Sequence, residues 1–245
     1  MKEISKLALP AIAFNIVEPF IGMTDMAIIG QMNEHPSDSQ AGVGLAVAMV
    51  SLLVWSLAQL RTAISAITSQ YLGKGQVKEI RSLVPIALFS SIVLGVAAWI
   101  LTTEFFIPIT DFIYPDTNAL QLSEAQEYYH IRATGLPLAL LIACVFGIFR
   151  GLQNTLWAMI ISLTDGAINI ALDLMLVNGV GSIPAYGVAG AAWASVISQI
   201  VMVIMCVIYL EVRTPFSFFH FSSRVVELKR MLSLFGNMFI RTIAV

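Results

Sequence analysis

Asp165, Asn169 and Asp173 stand at four-residue spacing in a largely apolar stretch, and Glu18 and Asp25 stand seven apart in another. On a helix, either spacing places the residues on nearly one face. An ionisable group at the centre of a bilayer costs about 2.5–3.5 kcal/mol on insertion scales, so each one asks for a reason. Two carboxylates close together and out of water can hold a proton near neutral pH, and with an amide oxygen beside them they can instead hold Na⁺. The inert alternative for Asp25 and Asp173 is to cap helix ends or lie at a membrane interface. For Glu18 and Asp165, sequence spacing identifies no partner. Arg132 follows Tyr128, Tyr129 and His130. It either snorkels to water as an interfacial anchor or pairs with one of the acids. Pro10 and Pro19 both fall in the first apolar stretch, where each removes a backbone hydrogen bond, so this helix is expected to bend.

The elements that carry these residues are membrane helices. The chain has 245 residues, 58% hydrophobic and 11% charged, whereas soluble domains run roughly 45–50% apolar and about 25% charged. A span needs about 20 mostly apolar residues. Six fit, near 5–32, 41–71, 80–103, 125–150, 155–178 and 187–211. The last two come from one uncharged run, Leu174 to Leu210, divided at the turn-forming Asn178-Gly179-Val180-Gly181-Ser182-Ile183-Pro184. The alternating ten-residue strands of a β-barrel are absent. With the N-terminus inside, Lys2, Lys6, Lys74, Lys78, Arg81, Arg150, Arg213, Arg224, Lys229 and Arg230 all fall on the cytoplasmic side. The external loops 33–40, 104–124 and 179–186 hold no Lys or Arg but carry Glu34, Asp38, Glu104, Asp111, Asp116 and Glu124. This topology puts Asp25, Asn169 and Asp173 at one depth, in the outer half of the membrane.

Other chemistry is excluded by what the sequence lacks. Net charge is −2 with no basic block, which argues against nucleic acid as a partner. Cys144 and Cys206 lie inside apolar runs and read as small buried or lipid-facing side chains. There is no phosphate-binding Gly-Lys-Ser/Thr loop, no His-Glu-x-x-His and no Gly-x-Ser-x-Gly. The chain is therefore read as a non-enzymatic, all-α membrane bundle. Eleven methionines either fill packing gaps or line an adaptable organic cavity. After the basic loop, Leu228 to Val245 opens a seventh apolar segment that stops partway, so the chain reads as the first part of a longer protein.

Several motifs resemble the MATE (multidrug and toxic compound extrusion) transporters. They are Arg150-Gly151-Leu152-Gln153-Asn154-Thr155, then Asn169-Ile170-Ala171-Leu172-Asp173, then Gly187-Val188-Ala189-Gly190-Ala191-Ala192-Trp193-Ala194-Ser195. Thr24-Asp25-Met26-Ala27-Ile28-Ile29-Gly30 resembles that family's first-helix aspartate motif, and Asn237-Met238-Phe239-Ile240-Arg241-Thr242 is similar to the seventh-helix start of its DinF-like branch. Asn154 stands where the family usually has Asp, and the stretch around Trp157 lacks a proline that often follows. Both departures fall in a cytoplasmic loop. The resemblance implies two six-helix lobes, of which residues 1–211 are the N-terminal one, 212–227 the inter-lobe loop and 228–245 the start of helix seven. It implies an inner-membrane antiporter that exports organic, often cationic, compounds in exchange for H⁺ or Na⁺, with no further cofactor. Its implied partners are the lipid bilayer, small organic substrates and a C-terminal lobe. Carried over, Asp25, Asn169 and Asp173 match positions implicated in cation coupling and Pro10 the first-helix bending proline, while Glu18, Asp165 and Arg132 are accessory candidates by their own place in or near the spans. A flippase for lipid-linked precursors is the alternative within the wider superfamily. It calls for an intramembrane Arg/Lys cluster, which the sequence lacks.

Overall fold

A computed structural model describes residues 2–32, 35–217 and 225–243. Within these, the side chains of residues 2–11, 13–15, 18, 225–226 and 242–243 lie outside the description. The chain forms α1 (Lys2–Ile29), α2 (Pro36–Leu57), α3 (Gln59–Gly73), α4 (Val77–Ile113), α5 (Ala119–Ala133), α6 (Leu136–Gly151), α7 (Thr155–Leu176), α8 (Gly187–Arg213) and α9 (Val225–Ile243). No strand occurs among the described residues, only an isolated bridge between Val180 and Ile183. The protein is an all-α membrane bundle. Many large apolar side chains point outward, Leu52, Trp55, Ile100 and Phe112 among them. Such a surface would aggregate in water and is what a lipid-facing wall requires.

Where six spans were expected, the described residues hold four helices long and apolar enough to cross a membrane, or five with a bent pair, and of the first expected span, near 5–32, Pro19–Ile29 is a shorter apolar helix. α2 and α3 together make one long apolar span, Pro36–Gly73, as do α4, α7 and α8 singly. The fourth expected span is broken into α5 and α6, bent by 50° at Thr134–Gly135. α1 continues through Pro10 and Pro19 as one helix. α4 was expected to end near residue 103 but runs 37 residues to Ile113, about 55 Å of helix. Pro108 lies inside it, and Thr110 Oγ1 donates to the Phe106 carbonyl at 2.8 Å. The division of the long run into two helices stands: α7 ends at Leu176 and α8 starts at Gly187. Gly179, Gly181 and Gly187 in the connection take positive φ values of 74°, 62° and 56°, conformations that only glycine adopts at little cost. Residues 33–34 of the first expected external loop and 218–224 of the expected inter-lobe loop lie outside the description.

Two buried cores stack along the bundle. One joins α3, α4, α6 and α8 through Ile64, Leu83, Phe149 and Cys206. The other joins α1, α2, α5 and α8 through Ile29, Val43, Tyr129 and Ala191. Small residues let the backbones approach. A Cβ on Gly147 would lie 2.7 Å from the Arg61 carbonyl oxygen, and one on Gly151 would lie 2.5 Å from the Thr68 side chain. This Gly-x-x-x-Gly stripe of α6 therefore fits directly onto α3.

Contacts between turns define the two ends. At one end Arg81 Nε donates to the Pro215 carbonyl at 3.2 Å and Asn154 Nδ2 to Tyr209 Oη at 2.6 Å. Lys74, Lys78, Arg150 and Arg213 lie at this Lys/Arg-rich end. At the other end Asn118 caps α5, accepting from the Gln121 amide at 2.8 Å. Asn118 and Gln121 both donate to Asp38 on α2, at 3.1 and 3.0 Å, and lock α5 to α2.

Candidate functional site

Asp25, Asn169 and Asp173 converge between α1 and α7, with side chains 6%, 1% and 0% exposed. α7 supplies two of them because positions 169 and 173 are one turn apart. α1 packs along α7, and close contact is possible where Gly166 faces Val17 and Ile21. One terminus of the Asn169 amide lies 3.1 Å from Asp25 Oδ1 and 3.3 Å from Asp173 Oδ2. The other lies 3.4 Å from Ser195 Oγ on α8. Hydrogen-bond chemistry assigns the nitrogen to the carboxylate side, where it donates to both, and leaves the oxygen to accept from Ser195. Asp25 and Asp173 are also within hydrogen-bonding reach of each other. Two carboxyl groups form such a bond only when one carries a proton, because carboxylate oxygens accept and cannot donate. The arrangement can thus hold one shared proton, and its oxygens can equally turn toward a small cation.

The surroundings extend the cluster. The Tyr128 hydroxyl of α5 lies against Ser195. Arg132, one turn further along α5, acts through space on both Asp25 and Tyr128. Its Nη1 reaches into the space left by the missing side chain of Gly135, at the α5–α6 bend, beside Gln199 Oε1. Asp165 sits two turns before Asp173, nearer Cys206, outside the cluster but with an interaction of its own. The Glu18 and Pro10 side chains lie outside the description, and Pro19 is exposed. Ser195 and Tyr128 had no assigned role in the sequence reading. The only signal for Ser195 was its place at the end of the Gly187–Ser195 motif.

A polar cluster sealed into an apolar bundle suits a transporter, and comparison with known proteins bears on which kind. The MatE family model matches residues 10–175. The chain belongs to the MatE family. Among MatE relatives, the probable multidrug resistance protein NorM of Thermotoga maritima is 32% identical over 208 residues, which are 82% of this chain and 42% of that protein. The DNA damage-inducible protein F of Escherichia coli is 28% identical over 201 residues, 81% of this chain and 41% of that protein. The chain thus spans less than half the length of these curated relatives. A solved MATE in the bent conformation superposes with a TM-score of 0.87 at 22% identity, covering 99% of this chain and 53% of that one. An outward-facing MATE multidrug transporter of the MOP superfamily gives 0.82 at 22% identity, covering 94% and 50%. These likenesses establish the fold: the chain superposes on about half of each of these longer MATE chains.

Proposed function

We propose that the chain is the N-terminal lobe, residues 1–211, of a cation-coupled antiporter that exports amphipathic, often cationic organic compounds. Residues 212–227 then join it to a second lobe that begins with 228–245. The observation that carries this reading is the buried Asp25–Asn169–Asp173 cluster in the half of the bundle away from the Lys/Arg-rich end. With that end in the cytoplasm of an inner-membrane protein, H⁺ or Na⁺ enters from outside and binds between the two carboxylates. The bound cation changes the charge linking α1 to α7 and favours release of the organic substrate outward. Loss of the cation to the inside returns the lobe to its loading state. An inert structural role would explain one buried acid but gives no reason for two carboxyl groups facing each other in an apolar bundle.

The test reconstitutes the chain joined to a second lobe in vesicles loaded with tetraphenylphosphonium. One set carries a Na⁺ gradient at fixed pH, the other a pH gradient without Na⁺. Efflux driven by one of the two gradients is expected. Efflux that follows neither would overturn the antiporter reading.

A further inference from the structure

At the opposite end from the acid cluster, a second buried polar group joins α9 to α3. Tyr71, in the last turn of α3, donates its hydroxyl hydrogen to the Glu227 carboxylate, whose two oxygens are both 2.8 Å away. Arg230 Nη1 donates to the same hydroxyl oxygen at 2.8 Å, and its Nη2 donates to Gln70 Oε1. The guanidinium carbon also sits 5.0 Å from the centre of the Tyr71 ring, a cation–π distance. Tyr71 is thus a hub that donates to an acid and accepts from a base, across 156 and 159 residues of sequence. Glu227 is 5% exposed, Tyr71 7% and Met231, one turn beyond Glu227, 0%.

This is an unusual way to attach a helix. Apolar side chains alone would hold α9 equally well, and Met231 already packs into the core of α3, α4 and α8. A buried carboxylate is stable only while its donors are in place, because its lost hydration is otherwise uncompensated. When α9 lifts, Tyr71, Glu227 and Arg230 all regain water together. The contact therefore favours two discrete states, fastened or open, over gradual loosening. It also lies at the Lys/Arg-rich end, the end at which Arg81 donates to the Pro215 carbonyl.

We propose that Tyr71, Glu227 and Arg230 form a reversible latch that closes the Lys/Arg-rich end by fastening α9 to α3, and that its release opens that end. The inference rests on the reading of the chain as a transporter lobe, since a site loaded from one side requires closure on the other. The three residues are positioning residues: they touch neither the coupling cation nor the exported compound.

The test places a reporter beneath the latch in the full chain in lipid nanodiscs. Met231→Cys is labelled with a water-soluble maleimide, and the native Cys144 and Cys206, both buried, serve as internal controls. In the parent background, labelling at 231 is slow. Tyr71→Phe removes the hub hydroxyl, and Glu227→Gln keeps the shape but removes the charge. Each should speed labelling at 231 about tenfold or more, the equivalent of one charge-assisted hydrogen bond, while Cys144 and Cys206 stay protected. Should Tyr71→Phe fail to fold, the near-isosteric Glu227→Gln carries the test. Unchanged labelling at 231 overturns the latch. Equal exposure of all three cysteines also overturns it, because the residues would then merely stabilise the fold. Failure of the transporter reading appears elsewhere, as absent ion-driven efflux, and leaves this labelling result untouched.

Discussion

Replacing Asn169 with leucine tests whether its amide bridges the acid pair. Leucine has a similar volume, so the packing of α7 is nearly kept, but the donor to Asp25 and Asp173 at 3.1 and 3.3 Å is lost. Hydrogen bonds between neutral groups on membrane helices average near 0.6 kcal/mol, whereas bonds to an ionised group contribute about 1.5–3 kcal/mol. If the pair shares one proton, Asn169 makes one bond of each kind, and its loss costs about 2–3.5 kcal/mol. For a chain of this size that is a fall of roughly 4–14 °C in Tm. Thermal unfolding in nanodiscs, followed by thiol-reactive fluorescence at Cys144 and Cys206, reads it directly. The control repeats the change in an Asp25→Asn/Asp173→Asn background, where both acceptors are neutral and the cost should drop to about 1 kcal/mol. Equal costs in the two backgrounds would refute the bridge, because the loss would then come from packing alone.

Asp25→Asn by itself should leave thermal stability equal to or above the parent, since it removes a buried carboxylate and keeps the volume; a large fall in Tm would contradict this. Gly95→Ala should destabilise by about 1–3 kcal/mol, because its Cβ would come 2.4 Å from Pro137 Cα. Gly22→Ala, with nothing within 4 Å, should be neutral or stabilising by up to about 1 kcal/mol, and thermal unfolding of the two variants separates them. Cysteines at the exposed positions Ser37 and Ser182 should react with an external membrane-impermeant maleimide in whole cells, and one at Gln76 should not. Strong labelling at 76 would reverse the assigned orientation. The chain reconstituted without a second lobe should show no ion-driven efflux, and transport equal to that of the two-lobe protein would refute the need for one.

Much of the site was legible in the sequence because helical periodicity and membrane depth are local quantities. The four-residue spacing of Asn169 and Asp173 fixes their common face, and the one-sided distribution of Lys and Arg brings Asp25 to their level. Which helix lies beside which is not local. Ser195 and Tyr128 join the cluster only because α8 and α5 pack there, and apart from Ser195's place at the end of the Gly187–Ser195 motif nothing in their own segments marks them. The Tyr71–Glu227–Arg230 group is hidden for the same reason. Each residue taken singly reads as an ordinary interfacial side chain. One helix break was missed. The span expected near 125–150 bends by 50° at Thr134–Gly135, where a glycine makes room for Arg132 and Gln199. α4 outruns its apolar stretch because a helix can leave the bilayer without changing its backbone.

Ion-driven efflux in the two-lobe protein carrying Asp25→Asn, Asp173→Asn or Asp165→Asn tests the central claim most directly. The amides preserve volume and most hydrogen bonds, so a loss of transport reports loss of the cation site and not of the fold. Asp25→Asn and Asp173→Asn are each expected to abolish efflux under either ion gradient, while Asp165→Asn, outside the cluster, retains it. Normal efflux from both Asp25→Asn and Asp173→Asn would contradict the account.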